Sequence, residues 1–210
     1  YSFAAGRDAN ASNTDSIAIG FSSVASGVSS TAIGYDNTAS GAGSIVLGYE
    51  SEATGVNSIA LGKNTKAIKS GSLAYASGKF ANNGDTQGCM GHSFALLTMS
   101  STLQSVNGGM GGIQLSVNDT VCTGTVKVVG ATAGVGANTP IGYIISFLIE
   151  NDGGTSRVVA QSQVAFESED TSFTCQLTHV GGKFLVQVQD DAVTADMRWT
   201  CFWQWAQQTF

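Results

Sequence analysis

The chain has 210 residues, of which 27 are Gly, one is Pro, 42% are hydrophobic and only 11% are charged. Disordered chains show high charge with few apolar residues, and collagen needs Gly at every third position with abundant Pro, so both classes are excluded. The formal net charge is −6, and neither half carries the basic patch that nucleic acid or an anionic lipid surface would require.

Two further features bear on the location of the protein. The longest apolar stretch, IGYIISFLI at 141–149, has about half the length of a membrane helix and predicts a strand instead, so we expect a chain that is not embedded in a membrane. The chain begins at Tyr1 without a visible signal peptide, and we interpret it as a fragment or a processed product. The four cysteines show no paired spacing, which favours buried free thiols over disulfides.

Residues 2–85 consist of six consecutive 14-residue units that never lose register. The units share a serine at their first position (Ser2, Ser16, Ser30, Ser44, Ser58, Ser72) and an alanine at their tenth (Ala11, Ala25, Ala39, Ala53, Ala67, Ala81). One predicted corner is marked by Gly6, Gly20, Gly34, Gly48 and Gly62, and a second by Gly27, Gly41 and Gly55. A fixed short period of this kind is the signature of a solenoid.

Within each unit, large apolar residues alternate with small ones before the first glycine. The large residues, which we predict to form the repeat core, are Ile17, Ile19, Ile33, Ile45, Leu47, Ile59 and Leu61. Alternation over four residues predicts a strand, and the glycine that follows permits a positive φ. Two short strands and two corners per unit describe one coil of a parallel β-solenoid.

A single column of such coils has little interior. The backbone entropy lost by ordering 14 residues exceeds what three or four aliphatic side chains return on burial, so we expect further apolar burial against other copies of the chain. A monomeric solenoid with a filled core is the alternative.

The units SIAIGFSSVASG (16–27) and STAIGYDNTASG (30–41) resemble the YadA-type head repeat of trimeric autotransporter adhesins. The resemblance covers residues 2–71 and implies a left-handed parallel β-roll, with three chains packed around a threefold axis. Ala76 replaces the corner glycine in the sixth unit, so we place the roll at 1–77 and a polar, Gly-rich junction at 78–94.

Beyond the junction, residues 95–210 show strand-like runs separated by turn signals, which predict an antiparallel β-sandwich or barrel. In the last run Met197, Trp199, Cys201, Trp203 and Trp205 share one face, and Phe202 is an apolar exception on the opposite, polar face. The tryptophans fit either a core or subunit interface, or a sugar-stacking platform with one open ring face.

The junction ASGKFANNGDTQ (76–87), followed by an all-β segment that ends in DMRWTCFWQW (196–205), resembles the C-terminal module of certain bacteriophage tail fibres. Those fibres place the module directly after YadA-like repeats. The resemblance implies a trimeric globular tip that touches the host cell surface.

No motif predicts an enzyme or a cofactor. Cys89 and His92 form a C-x-x-H pair, but zinc prefers four ligands, and three copies of His92 meeting on an axis is the metal-binding alternative. Glu167, Glu169 and Asp170 form an acidic cluster that a glycosidase could use, although a solvated turn is the simpler interpretation. No spaced calcium loop and no phosphate-binding loop is present.

The sequence therefore predicts a homotrimeric phage tail-fibre tip in the virion, attached to other tail proteins. It would adhere non-covalently to a host polysaccharide, lipopolysaccharide or outer-membrane protein. We expect receptor contacts in tip loops, at Asn138, Asn151, Asp152, Asp190 and Asp191, because loops carry variable contacts on a rigid scaffold. The alternatives are the head of a bacterial trimeric adhesin on the cell surface and a polysaccharide depolymerase.

Overall fold

The computed structural model describes residues 1–79, 82–84, 86–98, 104–106, 108–109, 113, 120–132, 141–167, 173–180, 183–190 and 196–209. Every regular element among these residues is a β-strand, which confirms the all-β prediction. The described residues contain no helix that is long and apolar enough to cross a membrane. Two compact units are present, one formed by Tyr1–Gly91 with Ala206–Gln208 and the other by His92–Trp205 with Thr209.

The first unit is built from strands that repeat at the 14-residue period. In chain order they are β1 (Phe3–Ala5), β2 (Asn10–Ala11), β3 (Ile17–Phe21), β4 (Val24–Ala25), β5 (Thr31–Tyr35), β6 (Thr38–Ala39), β7 (Ile45–Tyr49), β8 (Glu52–Ala53), β9 (Ile59–Lys63), β10 (Lys66–Ala67) and β11 (Leu73–Ser77). The odd-numbered strands form one sheet and the even-numbered strands another, both with neighbours one coil apart.

All pairings between these coils are parallel and shift by one repeat. Ile19 lies opposite Ile33, and Ile33 lies opposite Leu47. The predicted parallel β-solenoid is thereby confirmed. The stack stops at β11, because its other neighbour, β12 (Thr86–Thr98), pairs with it antiparallel, with Leu73 opposite Met90.

The interior of each coil holds only small side chains. The inward positions of the long strands are Ala18, Ala32, Val46, Ala60 and Ala74, all with at most 1% of their surface exposed. The alanines of the short strands, from Ala25 to Ala67, are equally buried. Buried polar residues, most of them serines together with Asn37, Asn64 and Thr65, fill the remaining positions. Several of the serines bond locally; the Ser30 hydroxyl, for example, donates to the carbonyl of Gly27 at 2.8 Å.

The predicted repeat core was therefore wrong in its choice of face. Ile17 and Leu47 are exposed, at 37% and 42%. The other five members of that set are half-buried: Ile19, Ile33, Ile45, Ile59 and Leu61. Because successive side chains of a strand point to opposite faces, filling the interior with alanine places the large aliphatic residues on the outside.

The first glycine column is required by close packing between coils. Its members have φ values between 102° and 158°: Gly6, Gly20, Gly34, Gly48 and Gly62. A Cβ on Gly20 would lie 2.0 Å from the carbonyl oxygen of Gly34, so no larger residue fits without moving the next coil. The tight turn itself follows two residues later, for example at Asp36 with φ of 49°.

The last short strand of the roll is closed by a side chain. The Gln87 amide donates to the carbonyl oxygen of Lys66 at 2.9 Å and accepts from the Lys66 N–H at 2.9 Å. The Gly84 N–H donates to the carbonyl of Asn64 at 2.8 Å. Gln87, which is 7% exposed, therefore provides the hydrogen bonds that the backbone of a further coil would otherwise supply.

Replacing Gln87 by Met should lower the stability of the roll, because the Lys66 N–H and carbonyl would lose their partner in a half-buried position. An unsatisfied buried group costs about 1–3 kcal/mol, so we expect a clear fall in the urea midpoint followed by circular dichroism. Gln208→Met, at an exposed position, is the matched control and should leave the midpoint unchanged. Equal effects of the two substitutions would contradict the capping role.

The second unit contains the remaining strands. Besides β12 from His92 onward they are β13 (Gln104–Ser105), β14 (Gly108–Gly109), β15 (Thr120–Thr132), β16 (Ile141–Asp152), β17 (Thr155–Glu167), β18 (Phe173–Val180), β19 (Lys183–Asp190) and β20 (Asp196–Thr209). One sheet has the order β12-β20-β15-β16-β17, with β14 beside β12, and the other has the order β13-β19-β18. The pairs β15–β16, β16–β17 and β18–β19 are antiparallel, as predicted.

The three tryptophans belong to the core of this unit. Trp199, Trp203 and Trp205 are 1%, 0% and 6% exposed. The indole N–H of Trp203 donates to the hydroxyl of Ser93, and its ring contacts Phe147 edge-on at 6.1 Å. The core interpretation is confirmed, and the alternative of a sugar-stacking tryptophan platform is excluded because no ring face is open.

The four cysteines are free and buried, as predicted: Cys89, Cys122, Cys175 and Cys201. Burial raises the pKa of the Cys89 thiol to about 12, against a smaller opposing effect of its hydrogen bond with Gln87. Burial also raises the pKa of Cys175 to about 12. These thiols therefore remain protonated and unreactive at neutral pH.

Candidate functional site

One face of the roll exposes an apolar surface, interrupted by Thr31 between Ile17 and Ile45. We call it the aliphatic face and define it by Ile17, Ile19, Ile33, Ile45, Leu47, Ile59 and Leu61. Its residues form two columns along the coils, since Ile45 pairs with Ile59 and Leu47 with Leu61. Leu73 and Tyr75 extend the two columns by one strand. A contiguous exposed apolar surface of this kind is typical of an association interface.

A second column on the roll is aromatic and ends in two cations. We call Arg7, Phe21, Tyr35, Tyr49 and Lys63 the ring column. The rings of Phe21 and Tyr35 stack at 4.8 Å between centroids, and those of Tyr35 and Tyr49 at 4.6 Å. The Arg7 guanidinium lies 4.2 Å from the Phe21 centroid, and the Lys63 ammonium lies 5.2 Å from that of Tyr49.

The ring column contributes rigidity rather than a recognition site. Every ring has a neighbour on both faces, either another ring or a cation. A sugar needs an open aromatic face on which to stack, so these faces cannot serve one. The ring column was not predicted from the sequence, although its members recur every 14 residues and the period is a signal that could have revealed it.

The predicted tip-loop contacts are only partly described. Asn138 and Asp191 lie outside the described residues. Asn151, near the end of β16, is 6% exposed, so its prediction as a receptor contact is corrected: the side chain is buried in the sheet. Asp152 is exposed and precedes a turn at Gly153 and Gly154 with φ of 55° and 88°. Asp190 ends β19 opposite Phe173.

The residues that we considered for metal or acid–base chemistry are not brought together. Cys89 is 4% exposed, whereas His92 is exposed and packs its ring 5.0 Å from Phe202. Within the described part of the chain no group of three or more His, Cys, Asp or Glu side chains could hold a metal ion. Glu167 ends β17, and the other acidic-cluster residues, Glu169 and Asp170, lie outside the described residues.

The comparison with protein families agrees with this geometry. The YadA head domain repeat matches residues 1–23, 25–51 and 53–75, which together make up about a third of the chain. The chain therefore contains YadA head repeats, and the matched residues are those of the stacked coils. A comparison with curated protein sequences finds no match.

Among solved structures, the chain is similar to phage tailspike proteins. The tailspike of Acinetobacter phage vB_ApiP_P1 matches with 8% identity and a TM-score of 0.38, over 100% of this chain and 54% of the tailspike. That of Acinetobacter baumannii phage AM24 matches with 9% identity and a TM-score of 0.38, over 80% and 33%. The tailspike of Acinetobacter baumannii bacteriophage Fri1, a capsular polysaccharide depolymerase, matches with 8% identity and a TM-score of 0.33, over 90% and 39%. The chain thus spans about half or less of the length of these proteins.

The Tyr35→Ala variant tests the structural role of the ring column. It removes two stacked pairs, each of which contributes about 0.5–1.5 kcal/mol beyond simple burial, so the free energy of unfolding should fall measurably. Tyr1→Ala, at a fully exposed ring, is the control and should have no effect. Chemical denaturation followed by tyrosine fluorescence measures both; an unchanged Tyr35→Ala variant would show that the stack adds nothing.

Proposed function

We propose that three copies of the chain associate through the aliphatic face and form the tip of a phage tail fibre, which attaches the virion to its host. The observation that carries the proposal is the inversion of the repeat. Alanine fills the coil, and isoleucine and leucine lie outside it. A chain that exposes these residues along the whole roll gains stability by covering them with identical chains.

Two further observations support this assignment. YadA head repeats match the roll, and the resemblance to the trimeric adhesins implies three chains around one axis. The second unit has its own tryptophan core, so it is rigid enough to hold a recognition surface. Three identical sites on one fibre bind a repetitive host surface with higher avidity than one site alone.

The proposed action is attachment without catalysis, at a host polysaccharide, lipopolysaccharide or outer-membrane protein. The second candidate is the head of a bacterial trimeric adhesin, which the YadA head repeats favour equally. The gene neighbourhood discriminates the two. Neighbouring genes for phage structural proteins support the tail fibre, whereas a membrane anchor encoded after the head would support the adhesin.

Light scattering on the purified chain measures its oligomeric state and so tests whether it is a trimer. Two matched variants test whether the aliphatic face is the interface. Leu47→Asp places a charge on the aliphatic face, and Val56→Asp places the same charge at a turn where the valine is 49% exposed, against 42% for Leu47. We expect wild type and Val56→Asp to be trimeric and Leu47→Asp to dissociate or fail to assemble. A folded wild-type monomer, or dissociation by Val56→Asp alone, would overturn the proposed interface.

Incubation with capsule and lipopolysaccharide from bound host cells tests the absence of catalysis. We expect the polymers to keep their size distribution in size-exclusion chromatography and no new reducing ends to form. A wild-type tailspike depolymerase serves as positive control. Released oligosaccharide that depends on Glu167 would instead assign the depolymerase activity to this chain.

A further inference from the structure

The two apolar columns of the aliphatic face continue beyond the last coil of the roll. On β11 the columns are continued by Leu73 and Tyr75. The next strand, β12, pairs antiparallel with β11, so that Met90 lies opposite Leu73 and Gly88 lies opposite Tyr75. Residues that lie opposite each other in such a pair share one face of the sheet. Met90 and Gly88 therefore carry the two columns onto β12, which is not a repeat strand.

The two sides of β12 differ in burial at this end of the strand. Gln87 and Cys89 point into the end of the roll and are 7% and 4% exposed. Gly88 and Met90 alternate with them on the outer side and are only half-buried. The interior of the roll therefore does not account for an apolar residue at Met90. The 14-residue period does not account for it either, because the period ends before β12 begins.

Gly88 leaves room for the aromatic ring of Tyr75. A Cβ on Gly88 would lie 2.6 Å from the hydroxyl oxygen of Tyr75 and 2.8 Å from its Cε2 atom, too close for any larger residue to fit without moving the ring. The Tyr75 ring therefore lies across β12 instead of standing away from it. It nevertheless remains 46% exposed, so the ring adds a broad apolar surface to the end of its column, and a partner can reach that surface.

Small polar residues lie at the edge of this surface. Ser77 follows Tyr75 at the next outward position of β11, and Thr86 precedes Gly88 at the next outward position of β12; both are exposed. An apolar surface with a polar rim is typical of a contact between proteins. The rim lies beside the Tyr75 ring and not between β11 and β12, so the apolar surface includes β12.

The occupant that fits this surface is a second copy of the chain. Tyr75 and Met90 lie in line with the aliphatic face, so a copy that covers the coils needs to extend only one strand further, about 4.8 Å, to cover β12. Copies related by rotation about an axis along the roll face each other at the same height. Each copy then presents Leu73, Tyr75 and Met90 to its neighbours. A methionine sulfur packs favourably on an aromatic ring, so the surface is complementary to itself.

We propose that β12 belongs to the interface between chains, and that the Tyr75 ring of one copy packs against Leu73 and Met90 of the next. We call Leu73, Tyr75, Gly88 and Met90 the junction contact. It rests on the proposed trimer and makes that trimer more specific, because it extends the interface from the repeats to a strand outside them. The junction contact joins the chains where the roll ends, so the repeats alone associate less tightly than the repeats together with β12.

Photo-cross-linking of the full chain tests the junction contact directly. The Tyr75→benzoylphenylalanine variant places a photoreactive ring at the contact. The Val56→benzoylphenylalanine variant places the same group at a turn of similar exposure, 49% for Val56 against 46% for Tyr75. After irradiation we expect the Tyr75 variant to form cross-linked dimers and trimers on denaturing gels and the Val56 variant to remain monomeric there. Mass spectrometry of the cross-linked bands should locate the attachment at Leu73 or Met90.

A charge substitution provides an independent measurement. Met90→Asp places a charge at the junction contact, and Val24→Asp places the same charge at another half-buried position, on a short strand in the other sheet of the roll. In sedimentation velocity over a dilution series, Met90→Asp should dissociate at about tenfold higher concentration than the wild type, as expected for a central contact residue. Val24→Asp should behave as the wild type does. Circular dichroism confirms that each variant is folded.

The junction contact is overturned if the Tyr75 variant cross-links no more than the Val56 variant, if its cross-links map to other residues, or if Met90→Asp and Val24→Asp weaken association equally. Failure of the junction contact is distinguishable from failure of the proposed trimer. A trimeric wild type that dissociates with Leu47→Asp but not with Met90→Asp refutes only the junction contact. A monomeric wild type refutes the trimer itself and the junction contact with it.

Discussion

The narrow interior of the coil is the constraint on which the roll depends. Only alanine, serine and a single valine occupy the inward positions of the long strands and the positions just before them. Only small side chains, of which Val46 is the largest apolar one, fit between the two sheets, so a coil obtains little hydrophobic stabilisation from its own centre. The apolar residues that the repeat does contain must lie outside, and the chain is therefore built to be covered by something else.

The second unit distributes its apolar residues in the opposite way. Its strands are up to 14 residues long, and its sheet buries Trp199 and Trp203 almost completely. This unit does not need an external partner to form a core, and its outward positions mix polar side chains with apolar ones such as Val129 and Val164.

The sequence was sufficient for the strands, the corners and the register of the roll, because a strict 14-residue period leaves little freedom in how the coils stack. It was not sufficient to decide which side of each strand faces inward. Alternation shows that a strand has two different faces, but it does not show which of them points inward. The larger residues, such as Ile33 and Leu47, were predicted to form the core because large apolar residues usually fill the core of a globular protein. The spacing between the two sheets of the roll decides which face points inward, and the sequence of a single strand does not encode that spacing. In the last strand the same rule succeeded, because the core of that unit has room for Trp203.

The register of the coils also sets how the roll can change in length. A Cβ added to a corner glycine of one coil would lie about 2 Å from the carbonyl oxygen of the corresponding glycine on the next coil, so each glycine column continues only if the period is kept. Inserting one residue into a strand would exchange the inner and outer positions of the part of that strand that follows, whereas inserting 14 would add a coil and preserve both faces. The length of the roll therefore changes in steps of one coil, each of about 4.8 Å, and it can be adjusted only by adding or removing whole coils.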